Sequence, residues 1–341
     1  MIENSYFADH ITRIMLLSML SFLISILIIS PLYTKFAYHY GWWKKKRTTD
    51  VSGEKLNVIA QQSTRKHRVP TMAGLIVVVA VAVVTLLFNM SREQTWLPLA
   101  ALVGGGVVGL LDDIINIRSD GSGIAGLQSK LKFALITVVG ILGAWFFFYK
   151  LGYNSIHLPY IGDFGLGWGI IPLFILAVVS TSNAVNISDG RDGLAGGLLL
   201  IAYTAFGIIA IMQGNIGIAA YCITIAGSLM AYVWYNIPPA RYFMGDVGSF
   251  ALGTSLGVVA MLTDTIFLLP IIGFVFVMEA GSSLIQILSK KYFGRRVFIA
   301  APIHHHLEAL GWPKTKVTMR FWVLGLFCAY LGILVAFIGG Y

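Results

Sequence analysis

Charge is scarce in this sequence. Aspartate, glutamate, lysine and arginine together make up 11% of its 341 residues, against about 25% in an ordinary soluble domain. With a hydrophobic share of 57%, a water-soluble fold would lack the polar side chains needed to cover its own surface. That excludes disordered tails and soluble nucleotide-binding folds, and it overrides the two-domain expectation that length alone suggests. Cysteine is nearly missing as well. Cys222 and Cys328 both sit inside apolar runs, which excludes a disulfide scaffold and a cysteine-based metal spacing. Low-complexity tracts and repeats of the inverted-transporter kind are also missing.

What the chain does have is apolar runs of membrane-spanning length. A hydrocarbon core of about 30 Å takes about 20 helical residues. On that measure the sequence predicts ten spans, at 11–33, 71–88, 96–111, 131–149, 168–181, 196–212, 216–235, 249–262, 266–288 and 318–338. Three are short and are expected either to tilt little or to extend into the flanking motifs. Every basic residue except Arg13, Arg92 and Lys150 falls in or beside an odd-numbered loop. The positive-inside rule therefore places those loops in the cytoplasm and both termini outside. The net charge of +9 reads as a topology signal, and no nucleic-acid partner is expected. Basic residues follow the first span rather than precede it, so no cleavable leader is expected. An alternating, turn-rich stretch from Ser155 to Gly165 predicts a small hairpin on the outer surface. Trp42-Trp43-Lys44-Lys45-Lys46-Arg47 reads as an interfacial anchor, with rings among the headgroups and cations toward anionic lipid. The expected fold class is an all-α polytopic membrane protein of about ten helices, forming one integral membrane domain over 1–341.

Four polar motifs break the apolar pattern, all in the loops assigned to the cytoplasm. The first, Gly109-Leu110-Leu111-Asp112-Asp113, closes the third span. Paired carboxylates at an apolar helix end are costly unless a cation joins them, and hard oxygen ligands favour Mg²⁺ beside phosphates. A solvated helix end is the bland alternative. The second runs from Asn183 through Asn186, Asp189, Gly190, Arg191 and Asp192 to Gly193. Its spacing suits a tight turn that meets a ligand through amides and backbone, with a helix starting near Leu194 whose N–H groups face an anion; a capped helix start would look similar. The third runs from Asn236 to Ser249 and sets Asp246 between Gly245 and Gly248, where an N-cap is the simple alternative. The fourth is Pro302-Ile303-His304-His305-His306-Leu307-Glu308. Consecutive helical positions diverge by about 100°, so three histidines do not readily share one metal. Hydrogen bonding to phosphate or sugar suits them better, and a structural loop cluster is the alternative. Glu279, inside the ninth span, marks a function, a buried pair or a helix break; we read it as a bend that opens a lipid-facing groove.

A transporter would gather its ionisable groups near the bilayer midplane. Here carboxylates, amides, imidazoles and Lys132 collect at one boundary, which suits joining a water-soluble anion to a lipid headgroup. At these motifs the chain resembles the polyprenyl-phosphate N-acetylhexosamine-1-phosphate transferases. The likeness runs from Pro70 to Trp322. Asp-Asp, Asn-x-x-Asn-x-x-Asp-Gly-x-Asp-Gly-Leu-Ala and Phe-Met-Gly-Asp-x-Gly-Ser carry it. Pro-Ile-His-His-His-x-Glu, Gly-Trp-Pro and Arg320-Phe321-Trp322 point to the branch that transfers phospho-MurNAc-pentapeptide.

The resemblance implies transfer from UDP-MurNAc-pentapeptide to undecaprenyl phosphate, giving lipid I and UMP, at the cytoplasmic face of a bacterial inner membrane. It implies Mg²⁺, held chiefly by Asp246, with Asp112 or Asp113 sharing the metal or activating the lipid phosphate. The Asp189–Gly190–Asp192 turn, Asn236 and Phe243 would line the nucleotide pocket, and Thr71 and Asn186 would bind substrate. Lys132 and His304, His305 and His306 would lie near diphosphate or sugar. A homodimer would be in keeping with the family. The chain departs from the pattern at Asn116, where a basic residue is expected, and at Ala73, where a glycine is. It also departs in the segment before Gly126-Leu127, which is longer and short of lysines. Substrate affinity and inhibitor response are where those departures should register. The rival readings are a UDP-GlcNAc transferase for another envelope polymer, an ion or organic-anion transporter, and a scaffold for other envelope enzymes.

Overall fold

The computed structural model describes residues 2–43, 69–118 and 126–340. Helix α1 (Ile2–Leu23) passes through a π-helical turn (Ile24–Ile29) into α2 (Ser30–Tyr40), which Gly41 ends in the left-handed region. Then follow α3 (Gly74–Phe88), α4 (Trp96–Arg118) and α5 (Ser129–Trp145). A hairpin of β1 (Ser155–Leu158) and β2 (Gly162–Gly165) comes next, antiparallel with Ser155 opposite Gly165. The remainder is α6 (Ile170–Ser188), α7 (Leu194–Met212), α8 (Ile216–Asn236), α9 (Gly245–Leu262), α10 (Leu269–Ile272), α11 (Phe274–Phe293), α12 (Ile303–Ala309) and α13 (Lys314–Ile338). The protein is an all-α polytopic membrane protein.

Eight helical stretches among the described residues are long and apolar enough to cross a bilayer. Two of the ten sequence-predicted spans differ. Helix α3 has 15 residues, about 22 Å at 1.5 Å per residue, because the start of that run, Thr71 to Ala73, is a turn with Met72 at φ +72° and not helix. The ninth run is split: α10 holds four residues, Gly273 interrupts, and α11 carries Glu279, Gln286, Lys290 and Lys291. The three short spans do extend into their motifs. Helix α4 runs on past Asp112 to Arg118, α6 continues to Ser188, and α9 begins at Gly245.

Burial orders the helices. The apolar stretch of α9 is 94% buried, whereas those of α1–α2 and α5 are 28% buried and that of α13 is 33% buried. Helix α9 is therefore the axis, and the others present one side to lipid. Its sequence explains this position. Glycines at four-residue spacing let helix backbones approach closely in a membrane, where packing and not hydrophobicity drives association. A side chain at Gly253 would strike the backbone of Ser182 on α6, and one at Gly257 that of Ala177 and Val178. On the other face, Gly105 of α4 lies against Phe250 and Thr254, and Gly109 lies against the backbone of Asp246 and Val247.

Both chain ends lie at the hairpin end of the bundle. Arg13 donates to the carbonyl of Phe88 at the end of α3 (2.8 Å), and the carbonyl of Gly339, after α13, meets His157 on β1 (3.3 Å). The starts of α3, α5, α7 and α9 and the end of α4 share the opposite end. Trp42 stays close to the bundle there, its carbonyl taking the Thr71 N–H (2.7 Å). Lys44, Lys45, Lys46 and Arg47, the cationic half of the expected anchor, lie outside the described residues.

Candidate active site

The glycine seam between α4 and α9 decides where the acids go. With Gly109 against the first turn of α9, the next turn of α4 sets Asp112 and Asp113 beside Asp246. Lys132 of α5 closes the group. Its Nζ donates to Asp112 Oδ2 (2.8 Å) and to Asp246 Oδ2 (2.9 Å). A cation in the first turn of a helix opposes the helix dipole, so it is the two carboxylates that hold the ammonium there. Leu127 N–H also reaches Asp112 Oδ1 (2.5 Å). Gly126, at φ +90°, makes this approach feasible, since a side chain at that position would sit on the carboxylate. Asp112 is 1% exposed and Asp246 is 15% exposed. Asp246 is thus the acid that a ligand can touch.

Asp113 faces away from Lys132 toward the start of α9. Its Oδ2 accepts the Val247 N–H (3.1 Å), and Gly245, at φ +75°, leaves room for that oxygen. Thr71 is on the same side, its Oγ1 next to Gly245. The strip around Thr71 is bound to the strip before α9. Phe243 N–H donates to Pro70 O (2.8 Å), Ala73 N–H to Phe243 O (2.9 Å) and Gly74 N–H to Met244 O (2.8 Å). Tyr33 donates its hydroxyl proton to Thr71 O (2.5 Å). Phe243 is 41% exposed and offers an aromatic face at the rim.

The end of α6 forms the next wall. Asn186 Nδ2 donates to Ser249 Oγ (2.9 Å), one turn into α9 from Asp246. Asp189 ends α6, and the turn through Gly190 and Asp192 leads to Gly193, at φ +76°, from which α7 starts at Leu194. Asn236 is consumed in holding this turn: its Oδ1 takes the Gly193 N–H and its Nδ2 donates to Tyr242 O, each at 2.8 Å. Asp192 Oδ2 takes the Ala240 N–H (3.2 Å). Trp322 donates its indole proton to Gly193 O (3.0 Å).

The three histidines have three different partners. His304 is buried against Glu279, with Nδ1 2.7 Å from Oε2. Glu279 is wholly buried, so the lipid-facing groove expected from it gives way to a buried pair. His305 meets Arg191 (2.9 Å), which also makes a bidentate pair with Glu308. Burial alone would raise the Glu308 carboxyl, but the hydrogen bond and charge of Arg191 outweigh it and leave it below the ordinary range. Burial, followed by the charges of His304 and Arg191, lowers His305. His306 Nδ1 accepts the Ile299 N–H (3.3 Å).

Sequence reasoning thus named most side chains of one continuous polar region at a single end of the bundle. It gave no site role to Tyr33, Ser249 or the Leu127 N–H. Ser249 belongs to a motif already read, and Tyr33 carries no local signal because it sits in an apolar run. The described residues contain no set of three histidine, cysteine, aspartate or glutamate side chains placed to hold one metal. What they do present is two facing carboxylates bridged by an ammonium.

A cluster of carboxylates, an ammonium and amides at one end of the bundle suits a membrane-embedded transferase, and the comparisons show that class. Residues 95–264 match glycosyl transferase family 4. Over longer stretches the chain is similar to proteins named phospho-N-acetylmuramoyl-pentapeptide-transferase. That of Chloroflexus aurantiacus (strain ATCC 29366 / DSM 635 / J-10-fl) is 37% identical over 315 residues, 88% of this chain and 86% of the relative. That of Geobacillus sp. (strain WCH70) is 36% identical over 322 residues, 93% and 95% of the two chains. That of Bacillus thuringiensis (strain Al Hakam) is 38% identical over 281 residues, 80% and 85%. The chain belongs to the phospho-N-acetylmuramoyl-pentapeptide-transferase family.

Proposed function

We propose that the chain, working as one domain, transfers phospho-MurNAc-pentapeptide from UDP-MurNAc-pentapeptide to undecaprenyl phosphate, forming lipid I and UMP for peptidoglycan synthesis. The reaction would take place at the cytoplasmic face of a bacterial inner membrane. The observation that carries this reading is the meeting of Asp112 and Asp246 across Lys132, beside Thr71, Asn186 and the Asp189–Asp192 turn. Transfer to a lipid phosphate needs a place where two anions can approach each other at headgroup depth, and these groups would provide it.

The donor set fits Mg²⁺. Two carboxylate oxygens, one partly open to ligand, match the way this ion is usually held, by one or two carboxylates together with substrate phosphates and water. Asp246 and Asp112 would hold it; Asp113 belongs to the same acidic group and secures the start of α9. When bound, the ion offsets diphosphate charge and stabilises the charge that develops during phosphoryl transfer. Lys132 keeps the two acids together in the free protein and turns its ammonium to the diphosphate when the donor arrives. Asn186 and the Gly190–Asp192 turn orient the nucleotide, and exposed Phe243 gives the uracil a face to lie against. Arg191, fixed by Glu308, adds positive charge at the sugar side. The lipid phosphate is already anionic and attacks the sugar-bearing phosphorus directly. A new P–O bond forms as the bond to UMP breaks.

The test uses purified protein with radiolabelled UDP-MurNAc-pentapeptide and undecaprenyl phosphate, with and without EDTA. A lipid-soluble labelled product should appear with one UMP per transfer, and EDTA should abolish it. Failure to form that product, or equal use of UDP-GlcNAc, overturns the assignment.

A further inference from the structure

Glu279 and His304 are the most deeply buried acid–base pair away from the three aspartates. Glu279 comes from the middle of α11 and His304 from the first turn of α12, and they are 0% and 1% exposed. Their contact, Nδ1 to Oε2 at 2.7 Å, uses one polar atom of each side chain. The other two, Glu279 Oε1 and His304 Nε2, are buried with no hydrogen-bond partner among the described residues. A pair retained only to join two helices is a poor use of buried charge, because well-packed apolar residues do that as well or better. The unmet atoms add a further cost.

The direction of Nε2 gives the pair another purpose. The atom faces Gly190, and a Cβ built on that glycine would stand 2.8 Å from it. Glycine at 190 therefore lets the ring edge come up to the turn that joins α6 to α7, next to Asp189 and Arg191. A histidine whose Nδ1–H is given to a carboxylate has its tautomer fixed, as metal-binding histidines have theirs fixed by a carboxylate on the far nitrogen. In that tautomer the neutral ring is an acceptor at Nε2. Such an atom takes a hydroxyl or amide proton and not a bare phosphate oxygen.

We propose that Glu279 is a positioning residue: it fixes His304 so that Nε2 accepts a hydrogen bond from a hydroxyl or amide of the nucleotide-sugar donor at the Gly190 turn. This rests on the transferase reading given above and narrows His304 to the sugar or nucleoside part of the donor, away from the diphosphate.

The first test is on the unaltered protein. Histidine-selective ¹⁵N spectra, with His304→Gln to assign the signal, should show His304 protonated at Nδ1 and bare at Nε2. The Nε2 resonance should move when UDP-MurNAc-pentapeptide is added and stay still with inorganic pyrophosphate. Kinetics supply the second test. Glu279→Gln can present its amide to Nδ1 and so reverse the tautomer. It should raise KM for the nucleotide sugar about tenfold, the effect of one lost hydrogen bond, with kcat within about twofold. Glu279→Asp should restore part of the loss. A His304 protonated at Nε2, a response to pyrophosphate, or an unchanged KM in a folded Glu279→Gln protein overturns the proposal. Should Glu279→Gln fail to fold, the spectrum of the unaltered protein still decides. Absence of UMP release from the unaltered protein would defeat the transferase reading instead, and the spectrum would then judge the tautomer on its own.

Discussion

The two ends of the bundle both set acids against bases, and they do so in opposite ways. At the acid end, Lys132 meets partners 20 and 114 residues away, on separate helices, and one of them is almost wholly buried. At the hairpin end, His157 meets Asp163 on the neighbouring strand, six residues away, and that carboxylate is 75% exposed. Further ties of the hairpin go from the His157 N–H to the Asp264 side chain and from His157 and Tyr160 to the Gly339 carbonyl. Bringing charge together from distant helices, out of water, is expensive and persists where a ligand makes use of it. Pairing across a hairpin costs little and serves to hold a loop. The difference separates a site from a latch.

The largest test of that separation is Asp246→Asn. If the acid end is a site, the substitution should cut UMP release by about 10³-fold, the scale of losing a charge-stabilising group, with thermal unfolding nearly unchanged. Normal turnover would mean that the carboxylate is not part of the chemistry. Next in size is Gly109→Ala, which pushes a methyl into the Asp246 backbone and should cost about 1–3 kcal/mol of stability along with activity. Gly104→Ala is the control. It faces only the Val139 side chain, at 3.4 Å, and should fold and turn over normally. Equal behaviour of the two variants would show that the seam does not position the acids.

Those contrasts mark how far the sequence could be read. The Asp-Asp pair, the Gly-Asp-Val-Gly stretch and the apolar runs are local patterns, and local patterns reveal spans, turns and residue chemistry. Asp112 and Asp246 could be placed at one end because each closes or opens a run of known length. Partners across helices are not local. Nothing near Asn236 signals that both ends of its amide are taken by Gly193 and Tyr242. Nothing near Glu279 signals His304, 25 residues on, so a carboxylate in an apolar run was read as opening a groove. The split of the ninth run at Gly273 was hidden for a related reason. Apolar composition continues through it, and hydropathy does not register a one-residue interruption of a helix.

A smaller effect comes from the edge of the acid end, where Arg191 clasps Glu308. The folded Glu308 carboxyl lies below its ordinary range. A lowered folded value means that the stabilisation is complete above the unfolded glutamate value, about 4.3, and is lost as pH falls through the folded one. Between about pH 5 and pH 3 the unaltered protein should therefore lose more Tm than Glu308→Gln does. Parallel decline of the two would show that the pair contributes nothing to the fold. His305, lowered mainly by burial, is partly held up by Glu308, so the comparison is made in a His305→Gln background, where only the Glu308 carboxyl differs.

The smallest effect belongs to the latch, and its sign is reversed. The hydrogen bond to Asp163 raises His157 above the ordinary histidine value, against a lesser opposing effect of desolvation. A raised folded value makes the contribution complete below the unfolded histidine value, about 6.5, and removes it as pH rises through the folded one. Asp163→Asn should thus lower Tm by about a degree at low pH, as befits an exposed pair, and by nothing measurable once His157 is neutral in both proteins. Transfer activity should not change at any pH, because no group of the hairpin reaches the acid end. A drop in UMP release with Asp163→Asn would couple the two ends and remove the distinction between them.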